Sequence, residues 1–169
     1  MTGRRLWPVL VLVLVAGAII IIAISYFYLL PRYRQAISLV DPGHELVTQG
    51  TPGWEYHKIL AADLDGDGET ELVHMLARLA EDPMRPGEYQ WDDGQPWQVY
   101  IEDGTEITHI YARYVQLGKL LALLTAETSP RLALLEIQGA GVALYTIDYR
   151  GPERFRVIRL AELSALRIE

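Results

Sequence analysis

The feature that most constrains this chain is a long uncharged run, Leu6 to Leu30 (LWPVLVLVLVAGAIIIIAISYFYLL). At about 1.5 Å per residue, a helix of this length crosses the roughly 30 Å hydrocarbon core of a bilayer. Trp7 lies near one end and residues 26–28 (YFY) near the other, where amphipathic rings prefer the membrane interface. Because the run exceeds the roughly 7–15 apolar residues of a secretory signal, we expect an uncleaved transmembrane helix. A cleaved signal peptide is the alternative.

The orientation of this helix follows from weaker signals. Two arginines precede the run and two follow it, so the basic residues do not decide the orientation (Arg4, Arg5, Arg32 and Arg34). The tail before the run, residues 1–5, is short, and the part after it is acidic. We therefore expect a cytoplasmic N-terminus and a C-terminal domain outside the cytoplasm, in the periplasm or the extracellular space.

The charge and the lack of cysteine exclude several classes of function. The chain has 22 acidic and 15 basic residues and a net charge of −7, and four of the basic residues flank the apolar run. An acidic surface of this kind avoids anionic headgroups and nucleic acid. With no cysteine in the sequence, the chain has no disulfide, no thiolate metal site and no covalently attached c-type haem.

The remainder of the chain has the pattern of an all-β domain. Residues 31–53 are punctuated by Pro and Gly and are predicted to be a linker. From Trp54 to Glu169, short apolar runs alternate with turn signals, and Asp103–Gly104 marks a hairpin bend. The first half of this domain is predicted to contain four strands, near His57–Ala62, Glu71–Leu79, Trp97–Glu102 and Glu106–Tyr111.

The second half of the domain repeats this plan. Both halves are predicted as strand, loop, strand and hairpin, which gives pseudo-repeats at about 54–113 and 114–169. We therefore expect two four-stranded antiparallel units; in the second, the strands correspond to Lys119–Glu127, Arg131–Gly139 and a hairpin within Gly141–Leu160. One alternative remains open: residues 111–127 also carry apolar residues at helical spacing, and a helix there would make the domain α+β.

The stretch ADLDGDGETELV, residues 62–73, crowds carboxylates at nearly alternate positions. Calcium takes six to eight oxygen ligands, and a loop supplies them when acidic residues alternate and the backbone curls around the ion. In this arrangement Asp63, Asp65 and Asp67 fill the first positions, followed by the backbone carbonyl of Glu69 and the carboxylate of Glu71. The sequence therefore predicts one calcium ion, which cross-links two strands and has no catalytic role.

The residues around this loop distinguish between two known loop types. An EF-hand requires an acid at its twelfth position, where this chain has His74, and its loop lies between helices. The pattern D-x-D-G-D-G-x-x-E before an apolar strand resembles the FG-GAP/VCBS repeats of integrin-type β-propellers. That resemblance covers about Lys58 to Leu79 and a degenerate second copy that keeps only Glu127. It implies propeller-blade-like units and calcium in the loop between the first two strands of a blade. A full propeller needs four or more blades, and this chain is long enough for about two.

A second segment, Glu81 to Trp97, is rich in Pro, Gly, acids and aromatic residues. Its aromatic residues, Tyr89, Trp91 and Trp97, offer amphipathic surface for protein or sugar contacts. A solvated loop with one aromatic packed inward is the alternative. The sequence has no Ser-His-Asp constellation, nucleophile elbow or phosphate loop. We therefore expect no enzymatic activity, and we expect His74 and His109 to be core-edge or surface residues.

Together these features predict a single-pass membrane protein with a calcium-binding β domain. We expect it to act as a non-catalytic accessory or scaffold subunit of a larger membrane complex, such as a bacterial electron-transport or photosynthetic assembly. Its expected partners are other membrane protein subunits and the lipid bilayer, and not nucleic acid. A cell-surface module that binds glycans or protein ligands is the alternative function.

Overall fold

The computed structural model describes residues 37–125 and 130–163, and these form eight strands. The strands make two four-stranded antiparallel sheets, in the orders β1-β2-β3-β4 and β5-β6-β7-β8. The mainly-β prediction with two four-stranded units is confirmed. The strand bounds are β1 Tyr56–Ala62, β2 Glu71–Ala77, β3 Gly94–Asp103, β4 Glu106–Gln116, β5 Lys119–Leu124, β6 Leu132–Gln138, β7 Gly141–Tyr149 and β8 Phe155–Leu163.

The alternative of a helix over residues 111–127 is wrong. Residues 111–116 complete β4, and Lys119–Leu124 is β5. In β5, Leu120 is fully buried and Leu121 is exposed, the two-residue period of a strand with one face on a core. Pairing with β3 and β6 has therefore overridden the helix propensity of these residues.

Each sheet is a meander in which neighbouring strands are consecutive in the chain. Both sheets carry an irregularity in register between their third and fourth strands, at Val99/Tyr100 in the first and at Leu144/Tyr145 in the second. The bend between β3 and β4 falls at residues 104–105, one residue later than predicted, because Asp103 pairs with Glu106. The two sheets therefore share their topology and the position of their bulge.

The inner faces of the two sheets form one hydrophobic core. Alternate residues of each strand point into it, and the largest are aromatic, with Trp97 and Tyr111 from the first sheet and Tyr145 from the second. One buried polar contact crosses the core, where the Tyr111 hydroxyl donates to Glu136 Oε2 at 2.8 Å.

Residues from the predicted linker also contact both sheets. Ile37 donates its backbone N–H to Val157 of β8, and Val40 forms a parallel bridge to Ala112 of β4. The segment from 37 to 41 therefore runs along one edge of each sheet. Leu39, at its centre, is buried in the core.

The outer faces of the two sheets differ. Segment 44–54 covers part of the first, where Val47 and Trp54 pack against Leu76 and Tyr100. The Gln98 side chain holds this segment in place, because it accepts a hydrogen bond from the Val47 N–H and donates one to the Glu45 carbonyl. In the second sheet the outward positions are mainly aliphatic: Leu121, Leu123, Ala133, Leu135, Ile137, Val142, Leu144 and Ile158.

The predicted transmembrane run, residues 6–30, lies outside the residues that the structure describes. Within 37–125 and 130–163, no helix is long and apolar enough to cross a bilayer.

Candidate metal centre

The acidic loop connects β1 to β2 at the end of the first sheet. Ala62 and Glu71 are paired across the two strands, so the loop closes directly above this pair. Asp63, Asp65, Asp67 and Glu71 each bring a carboxylate oxygen to within 4.8 Å of the others. The structure therefore gathers all four predicted carboxylates around one point.

The backbone of the loop is shaped by its own side chains. Asp63 accepts hydrogen bonds from the Gly66 N–H at 2.7 Å and the Gly68 N–H at 3.1 Å. Asp65 accepts one from the Asp67 N–H at 3.2 Å. Gly66 and Gly68 have φ of +83° and +95°, a conformation that side chains with a Cβ rarely adopt. These turns curl the chain so that its carboxylates converge.

Glu71 is the most unusual member of the cluster, because only 1% of its surface is exposed. Burial raises the pKa of its carboxyl group, and the nearby charges of Asp65, Asp103 and Asp63 raise it further. The Leu64 N–H donates a hydrogen bond to Glu71 Oε2 at 2.5 Å, and this bond lowers the pKa of Glu71. A buried carboxylate among three like charges is electrostatically costly, and a bound cation relieves this cost.

The donor set consists of oxygen atoms, which suits a hard divalent cation such as calcium or magnesium. The side chain of Glu69 is exposed and is not part of the carboxylate cluster. Its predicted contribution, a backbone carbonyl ligand, stays a prediction. The corresponding loop of the second sheet spans residues 125–131, and its one acidic residue, Glu127, lies outside the described residues.

The acidic loop also borders the second sheet. Leu64 and Asp65 line a small cavity of about 40 Å³ together with Asp148 and Arg150 from the end of β7. Nearby, the Tyr149 hydroxyl donates to Asp103 Oδ2 at 3.0 Å, which joins the second sheet to the β3–β4 hairpin. The loop therefore lies where the ends of the two sheets meet.

The three aromatic residues predicted to form a contact surface pack mainly against their own domain. Trp97 is buried in the core, and the rings of Tyr89 and Trp91 lie 5.1 and 5.6 Å from that of Tyr56. Trp91 remains 42% exposed and carries the ammonium group of Lys119 4.4 Å from its ring centre. The aromatic residues of the 81–97 segment therefore anchor the segment and leave one ring partly accessible.

One cluster was missed from the sequence. His57 Nε2 lies 3.0 Å from His74 Nδ1, and His74 Nε2 lies 3.2 Å from Glu102 Oε2. These residues come from three strands, and the registers of β1 with β2 and of β2 with β3 bring them together. Among the described residues, the histidines form no group of three ligands that could hold a metal.

Comparisons with protein-family models, characterised proteins and solved structures gave no match.

Proposed function

We propose that the domain of residues 54–169 binds one calcium ion through Asp63, Asp65, Asp67 and Glu71, with the backbone carbonyl of Glu69. The observation that supports this site is the burial of Glu71 among like charges. The ion joins the end of β1 to the start of β2 and leaves the domain without a metal-activated nucleophile. Its role is therefore structural, as in the blade-like repeats that the loop resembles.

We further propose that the domain acts by binding another protein, as a non-catalytic accessory or scaffold subunit. The observation that carries this proposal is the outer face of the second sheet. Its central residues, Leu135 and Leu144, are cross-strand partners, and Leu121 and Leu123 are exposed at its β5 edge. Exposed apolar patches of this kind mark interaction sites. The corresponding face of the first sheet is partly covered by segment 44–54 and is more polar.

In this proposal the run Leu6–Leu30 anchors the domain in the membrane, with the domain outside the cytoplasm. The partner is then another subunit of the same membrane assembly, and a bacterial electron-transport or photosynthetic complex fits this description. Tethering both proteins to one bilayer raises their effective concentration, so a modest apolar contact is enough for stable association.

The glycan-binding alternative is supported by a single observation, the partly exposed ring of Trp91. A ring of this kind offers a stacking surface for a sugar. The other two aromatic residues of the segment pack against the core, so the platform is narrow.

The test is purification of the full chain from native membranes in mild detergent, followed by identification of the proteins that remain bound. Leu123→Glu places a charge on the proposed contact face. Ile59→Glu is the matched control, because both residues lie on edge strands and are similarly exposed, at 49% and 47%. We expect Leu123→Glu to release the partner while Ile59→Glu retains it. Recovery of the unmodified protein as a free monomer in several mild detergents would contradict the proposal.

A further inference from the structure

A row of rings crosses the outer face of the first sheet. His57 of β1, His74 of β2, Tyr100 of β3 and His109 of β4 follow one another across the four strands. The rings of His74 and Tyr100 are stacked 4.5 Å apart, and those of Tyr100 and His109 lie 5.4 Å apart. Only the first two members of the row touch through nitrogen atoms, at 3.0 Å.

This nitrogen–nitrogen contact is a hydrogen bond only while one of the two atoms lacks a proton. A neutral imidazole carries one donor and one acceptor, whereas a charged imidazolium carries two donors. If both rings are charged, N–H faces N–H at 3.0 Å and two positive charges adjoin. The contact between His57 and His74 therefore tolerates at most one charged ring.

The rings of His57 and His74 differ in how freely they can move when the contact becomes repulsive. His74 is only 2% exposed and is stacked on Tyr100, whose hydroxyl accepts a hydrogen bond from the Gln49 N–H. His57 lies near the start of β1, an edge strand, and is partly exposed. When the contact becomes repulsive, His57 is the ring that can rotate into solvent, and β1 then loses a side-chain contact to β2.

The surroundings favour the neutral pair at neutral pH. Burial lowers the pKa of both histidines, and in His74 the adjoining His57 lowers it further. Glu102 raises the pKa of His74, because its Oε2 lies 3.2 Å from Nε2 and its negative charge favours the imidazolium, but burial outweighs this effect and the pKa stays lowered. Of the other titratable groups in the row, Tyr100 is neutral and His109 faces the far side of Tyr100.

We propose that the His57–His74 contact is a proton-sensitive latch, which holds the start of β1 against β2 at neutral pH and releases it in mild acid. The open form binds protons more readily than the closed form, so acid favours opening. Tyr56 and His57 pair with Ala77 and Leu76, so the contact acts at this end of the strand. The calcium loop follows the other end of β1, so the latch is separate from the metal site.

The test is hydrogen exchange of the full chain in detergent micelles at about pH 7.5 and about pH 5, corrected for intrinsic exchange. An opened His57 that titrates at its ordinary value of 6.5 increases the opening equilibrium by at most about thirtyfold over this range, the limit in which the closed pair stays neutral. We expect this loss of protection in the β1 amides bonded to β2. His57→Gln, which cannot become charged, abolishes the loss, and His44→Gln, outside the row, leaves it unchanged.

Three results overturn the latch: equal loss of protection in all eight strands, the same pH dependence in His57→Gln as in the unmodified chain, or no loss at all. If His57→Gln does not fold, the ring titrations of the unmodified protein decide instead. Histidine NMR signals from the coupled pair should then titrate below the ordinary value. Independent titration of His57 and His74 at 6.5 refutes the proposal.

Discussion

The Leu64 N–H donates a hydrogen bond to the buried carboxylate of Glu71 across the acidic loop, at 2.5 Å. Leu64 is itself buried, between Asp63 and Asp65, whose carboxylates converge with Glu71. One backbone N–H therefore stabilises the charged form of Glu71, while the charges of three other acids destabilise it. This imbalance of one N–H against several negative charges is the physical reason to expect that the loop responds to a cation.

The first prediction concerns removal of that cation. Chelation of calcium should lower the melting temperature of the full chain in detergent, because a ligand that binds only the folded state stabilises it by mass action. At a calcium concentration 100 times Kd this stabilisation is about 2.7 kcal/mol. Asp65→Ala should abolish the difference, whereas Asp92→Ala, an acid outside the cluster, should preserve it. Superimposable melting curves with calcium and with chelator would exclude the ion.

Glu71→Gln should have opposite effects with and without calcium. The folded state raises the pKa of Glu71, so folding favours its neutral form and the charged form destabilises the calcium-free protein at neutral pH. Glutamine retains an oxygen that can accept the Leu64 N–H and removes the charge. We expect a higher melting temperature in chelator and a smaller increase on addition of calcium. Thermal unfolding of both proteins under both conditions measures this, and a lower melting temperature in chelator would contradict it.

The contact between Tyr111 and Glu136 should be the most sensitive polar link between the sheets. Both residues are buried, and burial together with Glu136 raises the pKa of Tyr111, so its hydroxyl remains a donor. Tyr111→Phe leaves the acid without this donor and should cost about 1.5–3 kcal/mol of unfolding free energy.

Urea unfolding checks this value, with Tyr149→Phe for comparison because its acceptor, Asp103, is more exposed. Adding Glu136→Gln to Tyr111→Phe should recover part of the loss, since the uncompensated charge is then removed. Equal costs for the two tyrosine variants would argue against a special role for the core contact.

Stability should fall in mild acid partly because of His109. Burial lowers its pKa, and its Nδ1 has no hydrogen-bond partner within the described residues. A histidine whose folded pKa is lowered contributes stability that is complete above its ordinary value of 6.5 and is lost as the pH falls below it. His109→Gln should flatten the decrease in melting temperature between about pH 7 and about pH 5. An unchanged slope would show that His109 does not bind additional protons on unfolding.

The sequence was sufficient to predict those strands in which apolar and polar residues alternate within the strand itself. The predicted strands in the first half all correspond to observed ones, but β4 continues to Gln116 instead of ending at Tyr111. That extension depends on β3, which begins at Gly94 and supplies Gly94, Gln95 and Pro96 as partners. A run containing Gly and Pro gave no strand signal, so the pairing was not visible from either segment alone.

Like the strands, the candidate site was predictable where it depends on neighbouring residues and not where it depends on strand pairing. The four carboxylates are close in sequence, so their convergence follows from the turn residues between them. The burial of Glu71 and its proximity to Asp103 depend on the register of β2 with β3. Of the aromatic residues, Trp97 lies on the inward face of β3, which matches the alternative of one aromatic packed inward, while the packing of Tyr89 and Trp91 on Tyr56 depends on tertiary contacts that the sequence does not show.

The connection between the two sheets provides the last prediction. Leu117 has φ of +50°, and the chain then passes from β4 to β5 through Gly118. A Cβ at Gly118 would overlap the backbone carbonyl oxygen of Ile137 in β6. This carbonyl belongs to a strand held on both sides, so it cannot move aside as a flexible side chain could. Gly118→Ala should therefore destabilise the domain by about 1–3 kcal/mol or more.

Gly141→Ala is the matched control, because a Cβ there meets its nearest neighbour, the carbonyl oxygen of Gln138, at 3.4 Å, an ordinary contact. This change should be neutral or slightly stabilising, since alanine restricts the unfolded chain by about 0.4–1 kcal/mol. Thermal unfolding of the two variants beside the unmodified chain measures the contrast. If Gly118→Ala melts at the same temperature as Gly141→Ala, the close approach of Gly118 to β6 does not exist in solution.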